Sequence, residues 1–135
     1  MTTKTNTAVL AGLSFLTATQ AVLGGWILFA PRSFFALAWV HMHLPYNEHL
    51  LLDFGAMNLA LAVLLATAAV CGEPGLVRAA LVTYLVFSVA HVLIHTRYLD
   101  HLPPAQSALL ITLLTLAAVI PAVLLLIVAR GTCRR

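Results

Sequence analysis

The chain alternates between long apolar runs and short polar breaks. Four runs are long enough to cross a bilayer, which needs about 20 helical residues: roughly residues 8–30, 49–70, 76–95 and 105–128. The breaks carry helix-stopping residues. Pro31 opens the first, Cys71-Gly-Glu-Pro-Gly75 forms the second, and Pro103-Pro104 closes the third. Pro121 falls inside the fourth run, where a membrane helix tolerates it and a kink is expected. The pattern predicts an all-α fold, an integral membrane four-helix bundle in one domain. It shows no 20- to 50-residue repeat, low-complexity tract or linker.

The first break is not an ordinary loop. From Pro31 to His43 there is a proline suited to a helix start and no breaker until Pro45. This segment is expected to form a short helix lying in the membrane interface. Phe34, Phe35 and Trp39 suit that depth, together with Trp26, Tyr46 and Tyr98 nearby. An aromatic belt anchoring the bundle accounts for them without any further role.

Composition agrees with the pattern. Of 135 residues, 62% are hydrophobic and 8% charged, and the mean hydropathy is +1.03. A soluble domain has about 25% charged residues, so that class is excluded. The net charge of +3 comes from dispersed arginines with a small C-terminal group, and no basic stripe or nucleic-acid motif accompanies them. A lipid bilayer is the expected partner, and nucleic acid is not.

The distribution of Lys and Arg predicts orientation. Lys4, Arg78, Arg130, Arg134 and Arg135 fall on one side, Arg32 and Arg97 on the other. The positive-inside rule then places both termini in the cytoplasm of a multi-pass plasma (inner) membrane protein. The first run is too long for a typical signal-peptide core and no small-x-small cleavage site follows it, so it is expected to be retained. Cys71 and Cys133 give no disulfide framework, and this topology puts both on the reducing side.

The same topology puts all six histidines on the other side. His41, His43 and His49 belong to the first break and the start of the second span; His91 and His95 end the third span, and His101 follows. Glu48, Asp53, Arg97 and Asp100 join them. Side chains four apart share a helix face, so His49 pairs with Asp53 and His91 with His95. The second and third spans run antiparallel, which brings the two pairs level and allows them to face each other. Tyr84, Ser88, His91 and His95 form a polar stripe in an apolar helix, and in lipid such a stripe is expected to point into the bundle. Asn58 and Gln20 extend the polar interior.

Imidazoles and a carboxylate are good ligands for Zn, Fe, Cu or Mn. His49, Asp53, His91 and His95 are therefore the candidate metal ligands, with His41, His43 and Glu48 as second-choice contributors. Haem is an alternative cofactor, bound by His91, His95 or His49, for redox chemistry or chemistry on a lipophilic substrate. Proton relay is a third use of the same residues, and a purely structural network a fourth. HExxH and the Glu-x-x-His pairs of di-iron bundles are absent from the sequence. The competing functional classes are a non-enzymatic subunit of a larger membrane complex, for which small size speaks, and a small solute or proton carrier, which would need a homo-oligomer.

The run from Pro45 to Ala62, with its Asp53-Phe-Gly-Ala element, and Ala90-His-Val-Leu-Ile-His95 resemble small four-span bacterial membrane proteins of a DoxX-like, actinobacterial type. That resemblance implies a four-span fold in the inner membrane. It implies no activity.

Overall fold

A computed structural model describes residues 6–132, with side chains through residue 130. Lys4, Cys133, Arg134 and Arg135, used above for topology and cysteine chemistry, lie outside the described residues. The order is α1 (Thr7–Phe29), α2 (Pro31–Phe35), α3 (Ala38–His41), α4 (Glu48–Cys71), α5 (Pro74–His95) and α6 (Pro104–Thr132), with no strand among the described residues. Four of these helices are long and apolar enough to cross a membrane.

Local chemistry sets the helix ends. Asn6 accepts the Ala8 amide at the start of α1, and Asn47 accepts the Leu50 amide at the start of α4. Pro31 and Pro74 occupy the first turns of α2 and α5, where their missing N–H costs nothing. Gly72 ends α4 in the left-handed conformation, at φ 62°. Glu73 follows at once as the cap of α5, accepting the Gly75 and Leu76 amides at 2.9 and 2.6 Å. These two bonds hold the Glu73 carboxyl below the ordinary carboxylate range.

The bundle is two antiparallel pairs. The α1 and α4 helices pack most closely, α5 packs on α6, and α4 touches α5 more sparsely. Gly24 and Gly55 allow the first contact: a Cβ at Gly24 would stand 2.8 Å from the Gly55 carbonyl oxygen, and one at Gly55 would stand 2.8 Å from Ile27 Cγ2. The main buried apolar cluster includes Val9, Leu13 and Leu16 with Leu65, Ala68, Leu81 and Leu124. These residues come from the start of α1, the end of α4, the start of α5 and the end of α6. The dry core thus lies at the end of the bundle away from the histidines.

The polar interior runs between the pairs. Gln20 on α1 donates its side-chain amide to Tyr84 Oη on α5 at 3.2 Å, both residues being buried. Asn58 is buried and donates to the Phe54 carbonyl, and Ser88 donates to that of Leu85. The outer surfaces of the helices are apolar: Phe29 is 90% exposed and Val70 88%. Such surfaces belong in a bilayer, and the chain is a multi-pass membrane protein.

The segment between the first two spans is helical but interrupted. The α2 and α3 helices are separated at residues 36 and 37. Phe34 is buried and meets Trp26 edge to face at 5.5 Å, while Arg32 stacks over the Tyr46 ring at 5.2 Å. The αL residues Met42 and His43, at φ 46° and 56°, then turn the chain toward α4.

Candidate functional site

The polar stripe on α5 folds inward for most of its length. Tyr84, Ser88 and His95 are buried, and His91 is half-buried. His91 lies nearly parallel to Phe87, 5.4 Å away, and to Phe54 of α4, 6.0 Å away. Its other neighbour is His95, at 4.6 Å and edge to face. Phe87 and His91 are four residues apart and share a helix face. Phe54 and Phe87, which the spacing of histidines and carboxylates did not single out, are therefore part of the surroundings of His91.

His49 and Asp53 do not join this group. They engage each other at 3.4 Å, with side chains 88% and 61% exposed. The physical reason is the rotation of α4. Its inward face is set by Gly55, Asn58, Ala62, Leu65 and Ala68. At about 100° per residue, Asp53 is turned about 200° from Gly55. Phe54, one position later, takes the place beside His91 that the facing arrangement would have given to Asp53. The four-residue set His49, Asp53, His91 and His95 is thus two separate pairs, one exposed and one inside. Glu48 is exposed in the first turn of α4.

A second histidine group forms between the connections. His41 closes α3, His43 follows it, and His101 lies between α5 and α6. The ring centroids are 5.7 Å apart for His41 and His43, 6.1 Å for His41 and His101, and 5.4 Å for His43 and His101. His41 Nδ1 accepts the His43 amide at 3.2 Å, and His101 Nε2 is 3.0 Å from the Ala38 carbonyl oxygen. The sequence offers His41 and His43 only as second-choice contributors to the other histidine set, and their convergence with His101 required the fold.

A lateral groove of about 630 Å³ opens where α4 and α5 part. Its walls include Phe54, Met57, Leu61, Leu64, Val86 and Phe87. Among the described residues, Thr83 and His91 are its only polar lining residues. No hydrogen bond from His91 to protein is present among the described residues, so its imidazole keeps its capacity to donate and accept there.

Among the described residues, no group of three or more His, Cys, Asp or Glu side chains is arranged to hold a metal ion. The geometry therefore lends no support to the expected four-ligand metal centre or to haem. No family model, curated protein or solved structure matches the chain.

Proposed function

We propose that this membrane protein binds a lipophilic molecule whose hydrogen-bonding head meets His91 and whose apolar body lies in the groove between α4 and α5. The observation that carries this reading is the groove itself, with apolar walls and one unbonded imidazole near its histidine-rich end. An apolar wall recognises shape and hydrophobic bulk, and a single imidazole fixes which end of the ligand points where. The ring packs nearly parallel beside Phe54 and Phe87, which also touch each other, and meets His95 edge to face. That arrangement positions His91 as hydrogen-bond partner or general base toward the head of the bound molecule. The histidine end faces outward in this proposal, as the Lys and Arg distribution predicts.

The test is extraction of tag-free protein purified in mild detergent, followed by mass spectrometry of the extract. One compound enriched near stoichiometry over bulk lipid is expected. Ala90→Trp, which fills the groove from its wall, should lose it, and His91→Leu should weaken it. Identical bulk-lipid profiles for wild type and Ala90→Trp would refute the proposal.

A further inference from the structure

We propose that His41, His43 and His101 form a binding site for a divalent transition-metal ion, zinc or copper, that staples the end of α3 and the turn after it to the α5–α6 connection. The site is separate from the groove and from the exposed His49–Asp53 pair. Its support is the convergence of three imidazoles from two distant stretches of chain. The three centroid separations, 5.4, 5.7 and 6.1 Å, are close to one another. A zinc–nitrogen bond is about 2.0–2.1 Å, which places the centroids of two imidazoles on one tetrahedral ion about 5–5.5 Å apart. The centroid spacings are therefore within about 1 Å of those of a closed site, and each ring must also turn to aim a nitrogen at the common point.

The ring nitrogens do not yet enclose a common point, which agrees with the absence of a formed three-ligand group. Their present bonds show what binding entails. His101 Nε2–H donates to the Ala38 carbonyl. This bond fixes the tautomer and leaves the Nδ1 lone pair free, the arrangement that backbone carbonyls impose on ligating histidines. His41 Nδ1 has its lone pair on the His43 amide, in an exposed bond of 3.2 Å. A metal ion takes that lone pair in place of the amide hydrogen. His43 has no hydrogen bond to either ring nitrogen among the described residues, and its αL backbone turns it back beside His41.

The ligand type follows from the donors. Three neutral imidazoles favour Zn and Cu over Mg or Ca, which prefer oxygen. Three protein ligands leave a coordination position for water. No carboxylate is in the trio, so the three protein donors are all nitrogen.

Calorimetric titration of tag-free wild-type protein with Zn²⁺ in detergent tests the proposal. One ion per chain is expected. Loss of an outer-shell partner alone costs about 10- to 100-fold, so His41→Gln, His43→Gln and His101→Gln should each weaken binding at least about tenfold. His49→Gln should bind as wild type does. Zn²⁺ should also protect residues 41, 43 and 101 of the wild-type protein from diethyl pyrocarbonate while leaving His49 reactive, a readout that needs no variant to fold. Absence of stoichiometric zinc, unchanged affinity in His101→Gln, or protection of His49 alone would overturn it.

Discussion

Gly24 on α1 and Gly55 on α4 meet with no side chain between them, the added Cβ of Gly24 falling 2.8 Å from the Gly55 carbonyl oxygen. This contact sets how closely the first helix pair packs near the histidine end. Gly24→Leu places a branched side chain against backbone that has nowhere to move. It should lower stability by about 1–3 kcal/mol, the usual range for overpacking. Gly25 has nothing within 4 Å of an added Cβ, so Gly25→Ala should leave the unfolding midpoint unchanged or raise it. Thermal unfolding in detergent checks both.

The Gln20–Tyr84 bond at 3.2 Å joins the two helix pairs across the bundle. Tyr84→Phe removes the acceptor of the Gln20 amide and leaves that buried group unpaired. Hydrogen bonds within membrane bundles contribute about 0.6 kcal/mol on average, so a loss of about 1 kcal/mol is expected. Gln20→Leu with Tyr84→Phe should cost less than the sum of the single changes, because the double variant buries no orphan. A double-mutant cycle in detergent measures this coupling.

Glu73 gives a pH dependence of known sign. Its carboxyl titrates below the ordinary range because the Gly75 and Leu76 amides bond the charged form. A group with a depressed folded pKa stabilises fully above its unfolded pKa, and that stability is lost as pH falls through the folded value. The start of α5 should therefore loosen on acidification below the ordinary glutamate range. Glu73→Gln should lower stability at neutral pH and flatten this dependence. Amide exchange at residues 75–77, followed against pH, reports the effect directly.

Orientation is open to a labelling test. Cys71 is exposed at the end of α4, opposite the histidines. In a Cys133→Ser background, His101→Cys should react with an impermeant maleimide on intact cells, and Cys71 only after permeabilisation. The reverse pattern would place the histidine end in the cytoplasm.

The groove makes a prediction about shape. Phe87 forms one wall and stacks on His91. Phe87→Ala should shift selectivity toward bulkier lipophiles and free the His91 ring to turn. Competition between two probes of different width, measured on wild type and variant, reads this shift.

The sequence alone determined the class of this protein. Runs of about 20 apolar residues separated by Pro and Gly permit little other than a four-helix membrane bundle, because lipid offers no partner for an open backbone. Spacing also decided which side chains share a face of one helix, as with Tyr84, Ser88 and His95 buried along α5. It did not decide how each helix is turned about its own axis. That angle follows from packing between helices, here from the Gly24–Gly55 contact, which fixes the inner face of α4 and leaves His49 and Asp53 outside. Nor did it decide which connections meet. His101 reaches His41, about sixty residues earlier in the chain, and His43 only because the ends of α3 and α5 come to the same end of the bundle. The apolar groove beside His91 likewise needs both α4 and α5: each supplies a wall at helical spacing, and only their sparse packing leaves the space between.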